Sequence, residues 1–276
     1  MSLHFTKMHG NGNDFVLLDD RAGDLALTPQ RLRQLADRRL GVGCDQVLVA
    51  APARDAQAAI AMRIFNADGS AAQQCGNGLR CFAVHVHERG MVEGERFAVE
   101  TPGGLMRVTL LGAGRVRASM GRPEFEPAAI PIRAARRALR YRLILPGEEL
   151  DVGAVSMGNP HAVLRVADVH GAPVARLGPA IQALADFPQG VNVGFMQVLA
   201  PDHIRLRVFE RGVGETLACG SGACAAVVIG RLQADLGPSV RVSLPGGDLD
   251  IEWAGEGHEV VMEGPTATVF EGEVAA

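Results

Sequence analysis

Cys75 and Cys219 are the side chains of this sequence best suited to proton-transfer chemistry. Each opens a Cys-Gly-x-Gly turn followed at once by an apolar, helix-forming run. A cysteine at a helix N-terminus faces backbone N–H groups and the positive end of the helix dipole. Its thiolate is thereby favoured, and its pKa is expected below the ~8.5 of a free cysteine. The same N–H groups suit a carboxylate or phosphate. Cys81 and Cys224, which fall on the helices themselves, and Cys44, beside a glycine turn, read as core residues. The gaps from Cys75 to Cys81 and from Cys219 to Cys224 are longer than the Cys-x2–4-Cys pairs of structural zinc sites. His85-Val86-His87 reads as a helix end facing water. No metal site is expected.

The two cysteines belong to a duplicated unit. Phe65-Asn66 and Phe209-Glu210 each precede their cysteine by the same interval. A Pro-Gly-Gly follows each cysteine, at Pro102 and Pro245, then a methionine, Met120 and Met262. Upstream, Gly12-Asn13 and Gly158-Asn159 stand at nearly equal distances from their cysteines. Five ordered landmarks at near-constant offset describe two copies of one unit.

Polar residues repeat with the cysteines. Asn13 matches Asn159, Gln46 matches Asn192, Asn66 matches Glu210, and Asn77 matches Ser221. Asparagine often serves only to form a turn, but paired recurrence beside the cysteines points to ligand contact. Arg211 stands opposite Ala67, and such an unmatched arginine suits a bidentate grip on a second carboxylate. His161 stands opposite Phe15 and could tune a nearby thiol.

The elements that must position these groups are mostly strands. Segments such as Ala61–Phe65, Arg107–Leu110 and Ile204–Val208 alternate apolar and polar residues. Short turns between them favour antiparallel pairing. Thr28-Pro29 opens an amphipathic helix through Leu40, and a second covers Val174 to Phe187. Leu79–Val86 and Ala223–Leu232 are apolar on nearly every side and predict enclosed helices. The expected fold is therefore α+β, with two pseudo-symmetric domains, each an antiparallel sheet curled around one central buried helix. The domains are expected at 1–121 and 122–264, with the active site in the cleft between them.

Symmetry then suggests a mechanism. Two related domains facing each other would bring two helix-capping cysteines to one carbon from opposite faces. One thiolate would remove a proton while the opposing thiol returns another, inverting a stereocentre without a cofactor. Enolate charge on an adjacent carboxylate would fall on the helix N-terminal amides.

Composition narrows the alternatives. Hydrophobic residues make up 47% and charged residues 21% of 276, enough for a substantial core. The net charge of −4 argues against nucleic-acid or anionic-membrane partners. No apolar run is long enough to span a bilayer. Lys7 is the only lysine; Met8 follows it, so no Walker A loop exists, and no other residue could form a pyridoxal-phosphate Schiff base. The first residues lack the layout of a secretory signal, and five cysteines without a disulfide framework suit the cytoplasm.

The sequence resembles the diaminopimelate epimerase family essentially end to end. The resemblance rests on His9-Gly10-Asn11-Gly12-Asn13-Asp14-Phe15, Gly41-Val42-Gly43-Cys44-Asp45-Gln46, Phe65-Asn66-Ala67-Asp68-Gly69 and Cys75-Gly76-Asn77-Gly78. It continues through Met157-Gly158-Asn159-Pro160-His161, Glu210-Arg211-Gly212 and Cys219-Gly220-Ser221-Gly222-Ala223-Cys224. It implies that Cys75 and Cys219 exchange protons with the α-carbon of LL- and meso-diaminopimelate, without cofactor, in lysine and peptidoglycan-precursor synthesis. It implies substrate contacts from Asn13, Gln46, Asn66, Asn159, Asn192, Glu210 and Arg211. The amides at Gly76-Asn77 and Gly220-Ser221 would take the α-carboxylate, with His161 and Glu210 adjusting the thiols. It also implies a homodimer, and a last strand, 265–276, returning to the first domain. Family members often carry a tyrosine in that strand at the dimer contact, where this chain has Phe270. Two other readings share features with this one. A proline or hydroxyproline racemase would use the same two thiols without needing Arg211, and a binding module would hold a diamino diacid without exchanging its α-proton.

Overall fold

The structure, a computed structural model, describes residues 2–73 and 75–275. The chain divides into two compact units, residues 1–119 with 263–276, and residues 120–262. In the first, the elements run β1 (Ser2–Gly10), β2 (Asn13–Asp19), α1 (Pro29–Ala36), β3 (Gln46–Ala51), β4 (Ile60–Asn66), β5 (Ala71–Ala72), α2 (Gly76–Glu88), β6 (Arg96–Thr101), β7 (Gly104–Gly112) and β8 (Arg115–Ser119). The second contains β9 (Tyr141–Leu145), β10 (Glu148–Ser156), β11 (Pro160–Arg165), α3 (Val174–Gln182), β12 (Asn192–Ala200), β13 (His203–Glu210), β14 (Gly214–Thr216), α4 (Gly220–Leu232), β15 (Ser239–Leu244) and β16 (Gly247–Glu252). The chain then passes through β17 (Val261–Pro265) to β18 (Ala267–Ala275), which pairs antiparallel with β1.

The sheets are mixed, which corrects the antiparallel expectation. In the first unit β2 lies parallel to β3 and β4 parallel to β6; in the second β11 lies parallel to β12 and β13 parallel to β15. The remaining ladders whose register is resolved are antiparallel. Parallel neighbours need a crossover connection, and the four helices fall in those connections: α1 between β2 and β3, α2 between β4 and β6, and α3 and α4 likewise. The duplication is visible in the registers. Phe15 pairs with Gln46 in one unit and His161 with Asn192 in the other. Phe65 pairs with Ala71, and Phe209 with Glu215.

Each unit is built around one helix. In α2 every residue from Asn77 to Val86 is buried, and in α4 every residue from Gly220 to Gly230 except Ser221. α2 packs on β1, β2, β3, β7 and β8, and α4 on β10, β11, β12, β13 and β16. α4 lies so close to β10 that a Cβ on Gly153 would stand 2.2 Å from the Ile229 side chain. Leu79, Phe82 and Val86, and Val227 and Val228, are almost wholly removed from water. Burial of each such side chain contributes roughly 1.5–3 kcal/mol.

Helix boundaries differ from the sequence reading for local reasons. α1 ends at Ala36 rather than Leu40, because the Asp37 carboxylate accepts from Arg39 N and Leu40 N at 2.7 and 2.8 Å. The chain then folds back so that Gly43 N and Cys44 N bond Leu35 O and Ala36 O. α3 ends at Gln182, and single turns from Leu184 to Ile181 and from Phe187 to Leu184 replace its expected last stretch. α2 and α4 begin earlier than their apolar runs, directly after the two cysteines. His85 does not face water. It is buried, and burial with the nearby Arg89 charge lowers its pKa to about 4.

Candidate active site

Both cysteines are the N-cap residues of their helices, with extended backbone at φ −151° for Cys75 and −119° for Cys219. Gly78 N donates to Cys75 Sγ at 3.3 Å. The second glycine of each Cys-Gly-x-Gly leaves room for sulfur. A Cβ on Gly78 would lie 3.3 Å from Cys75 Sγ, and one on Gly222 would lie 3.2 Å from Cys219 Sγ. Any other residue would press the first helical turn against the thiol.

In the first unit Asn13, Asn77 and Cys75 form one cluster. Asn13 Oδ1 lies 3.6 Å from Cys75 Sγ and accepts from Asn77 Nδ2 at 3.4 Å. Gln46 stands next to Asn66 across the β3–β4 ladder and donates to its Oδ1 at 2.9 Å. Asn66 Nδ2 in turn donates to Ser70 Oγ at 3.0 Å. Gly76 and Asn77 occupy the first turn of α2, where N–H groups point to the positive end of the helix.

In the second unit Glu210 replaces Asn66 and changes the electrostatics. Cys219 Sγ donates to Glu210 Oε2 at 3.1 Å, while Thr216 Oγ1 donates to Oε1 at 2.5 Å. Burial and the Glu210 charge push the Cys219 thiol well above its ordinary pKa, outweighing the Ser221 hydroxyl and the Gly222 N–H. The lowered pKa expected from the helix terminus is thereby corrected for Cys219: desolvation and a like charge exceed the dipole. Ser221 Oγ lies 3.6 Å from Cys219 Sγ and accepts from Asn159 Nδ2 at 3.4 Å.

His161 Nε2 lies 2.9 Å from Asn159 Oδ1. Burial, then the Arg211 charge, lower its pKa to about 3, so the ring is neutral. Asn192 is tied to backbone: it donates to Pro160 O at 3.2 Å, and its Oδ1 accepts from Arg211 N at 2.8 Å. It thereby fixes the main chain that carries Arg211, whose side chain is exposed and donates to Gln189 O at 2.8 Å. Cys44, Cys81 and Cys224 are buried. Desolvation pushes Cys44 to about 11 and Cys81 to about 12, as expected of core thiols.

Several residues around these clusters escaped the sequence reading. Asp45 accepts from Asn13 Nδ2 at 2.8 Å. Asp14 receives Lys7 at 2.6 Å and both Arg38 nitrogens at 2.9 and 2.7 Å. Arg80, fully buried in α2, donates to Asn11 Oδ1 at 2.7 Å. The available signal was adjacency: Asp14 and Asp45 sit beside Asn13 and Gln46. Among the described residues no group of three His, Cys, Asp or Glu is arranged to hold a metal ion. No described helix is long and apolar enough to cross a membrane.

The fold recurs in solved structures of low sequence identity. A hydroxyproline epimerase from Agrobacterium vitis superposes with a TM-score of 0.72 at 16% identity, covering 99% of this chain and 92% of its own. Closer likeness lies in sequence. The diaminopimelate epimerase of Alkalilimnicola ehrlichii is 57% identical over 276 residues, and that of Thioalkalivibrio sulfidiphilus 55%, each covering 99% of both chains. The family model for diaminopimelate epimerase matches residues 5–126 and 153–269. The chain belongs to the diaminopimelate epimerase family, whose members are isomerases.

Proposed function

We propose that this chain interconverts LL- and meso-diaminopimelate by inverting one α-carbon, with Cys75 and Cys219 as the two acid–base groups and no cofactor. The carrying observation is their equivalent placement as N-caps of α2 and α4. In one direction the thiolate of one cysteine takes the α-proton. The electron pair moves onto the α-carboxylate as an enolate, and the opposite thiol gives its hydrogen to the other face of the carbon. The two sulfurs thereby exchange protonation states. The raised pKa of Cys219 supports it as the resting donor, with Glu210 receiving its S–H hydrogen bond.

The helix N-terminal amides of Gly76-Asn77 and Gly220-Ser221 would hold the reacting carboxylate, where enolate charge develops. Asn13, Gln46, Asn66, Asn159, Asn192 and Glu210 would contact the substrate. Arg211, carried by the Asn192-anchored backbone, would grip the distal carboxylate. The reading includes action in the cytoplasm, in lysine and peptidoglycan-precursor synthesis, as a homodimer. Phe270, 47% exposed and edge-on to Phe5 at 5.8 Å, offers an apolar dimer contact on β18.

The test is epimerisation of diaminopimelate in deuterated water, with proline as a control substrate. Solvent deuterium should appear at the inverted centre, and Cys75→Ala and Cys219→Ala should each lose at least about a hundredfold in rate. Their losses should not add in the double variant. Binding without deuterium exchange would make the protein a binding module, and turnover of proline would make it a racemase of another substrate. Sedimentation of the parent and Phe270→Asp, expected as dimer and weakened dimer, tests the assembly.

A further inference from the structure

Asn13 and Asn159 are equivalent residues in the two repeats, yet their carboxamides are turned in opposite senses. Asn13 directs its oxygen at Cys75 and Asn77, with its nitrogen on Asp45. Asn159 directs its nitrogen at Ser221, with its oxygen on His161. A carboxylate only accepts hydrogen bonds, so Asp45 admits only the NH2 end of Asn13. The His161 ring is neutral, and toward the Asn159 oxygen it takes the tautomer with the hydrogen on Nε2. The orienting positions are also exchanged between repeats. Opposite Asp45 the second unit has buried Val191, and opposite His161 the first unit has buried Phe15. Each amide thus has a polar neighbour at a different place in its repeat, and only the Asp45 carboxylate restricts which end of the amide faces it.

Asp45 is itself held. Its Oδ1 accepts from Arg38 Nη2 at 2.7 Å, its Oδ2 accepts from Asp14 N at 3.2 Å, and its own N donates to Asp14 Oδ1 at 2.9 Å. Arg38 also spans both oxygens of Asp14, which Lys7 grips from the buried side. The amide of Asn13 therefore ends a chain of charges anchored within the first unit.

We propose that Asp45 is a positioning residue, locking the Asn13 carboxamide so that the Cys75 half-site presents a hydrogen-bond acceptor where the Cys219 half-site presents a donor. The Asn13 oxygen then receives the S–H that Cys75 carries once it has taken a proton, or an ammonium group of a bound amino acid, while the Asn159 nitrogen serves an acceptor. A substrate bearing ammonium and carboxylate on one carbon is thereby offered unlike partners by the two half-sites. The proposal rests on the epimerase reading of these clusters.

The test compares Asp45→Leu, which removes the acceptor, with Asp45→Asn, which keeps an acceptor oxygen. Asp45→Leu should lower kcat for diaminopimelate about tenfold with KM within about twofold, and Asp45→Asn should recover most of that loss. In an Asn13→Ala background Asp45→Leu should change nothing further, since it acts through that side chain. Without substrate, the 15N side-chain amide signals absent from Asn13→Ala should exchange slowly with water in the parent and rapidly in Asp45→Leu. Unchanged kcat in Asp45→Leu, losses that add fully to those of Asn13→Ala, or unchanged amide exchange would each overturn the proposal. A parent enzyme that leaves diaminopimelate unchanged would instead overturn the epimerase reading, while the amide signals would still report on the lock.

Discussion

Cys219 and Glu210 lie 3.1 Å apart, sulfur to carboxylate oxygen, whereas the position equivalent to Glu210 in the first unit holds the neutral amide of Asn66, which bonds Gln46 and Ser70. The duplicated unit thus carries a carboxylate in one copy where the other has an uncharged amide. Burial and the Glu210 charge favour a protonated Cys219 at rest. Removing the charge should release the thiol. In Glu210→Gln, the pH midpoint for Cys219 alkylation should fall, while the epimerisation rate drops about tenfold or more. Mass spectrometry of iodoacetamide-treated protein across pH 6–10 checks this, and an unmoved or raised midpoint contradicts it.

Arg211 tests the grip on a distal carboxylate. Arg211→Lys retains the charge but loses the two-pronged fork. The expected result is a KM raised about tenfold or more. Asn192→Leu should give a similar but smaller change, because Asn192 holds the Arg211 main chain rather than its guanidinium. Steady-state kinetics of both variants decides the matter, and an unchanged Arg211→Lys removes the arginine from the site.

Lys7 and Asp14 supply a stability prediction. Burial alone would raise the Asp14 carboxyl, but the hydrogen bonds from Arg38 and Lys7 overcome it and hold the group well below the usual carboxylate range. A folded-state pKa below the unfolded one contributes stability above the unfolded value, near pH 4, and loses it as pH falls further. Lys7→Met leaves Asp14 partly buried with Arg38 and the Asp45 N–H and should cost about 3 kcal/mol at pH 7. Urea unfolding should show that difference shrinking below about pH 4.

His85 and His161 set the response to mild acid. Burial holds both rings neutral, near pKa 4 and 3, whereas in the unfolded chain they take up protons near pH 6.5. Folding is therefore fully supported above that value and weakens as pH falls through it, because the unfolded state binds the extra protons. Two imidazole signals should remain untitrated between pH 8 and 5 in proton NMR, lost singly in His85→Gln and His161→Gln. A midpoint near 6.5 for either would contradict the burial.

The duplication, the paired placement of Cys75 and Cys219 at helix starts and the matched polar positions were legible in the order of amino acids. Chemistry of this kind needs a residue type at a fixed local offset, and turns such as Cys75-Gly76-Asn77-Gly78 keep those offsets within a few residues. The buried helices were legible too, since Leu79–Val86 and Ala223–Leu232 are apolar on all sides, although the N-caps extended them. Strand direction was not. Whether β2 lies beside β3 in parallel depends on where α1 carries the chain, a long-range outcome that alternation within a strand does not encode. The protonation of Cys219 likewise escaped local reading, for the helix terminus pulls its pKa one way while a β13 carboxylate and burial push it harder the other. So did Asp45. Its partner Asn13 is 32 residues away, and only folding brings them to 2.8 Å. Spacing names the groups; their protonation and the facing of their amides arise where distant segments pack.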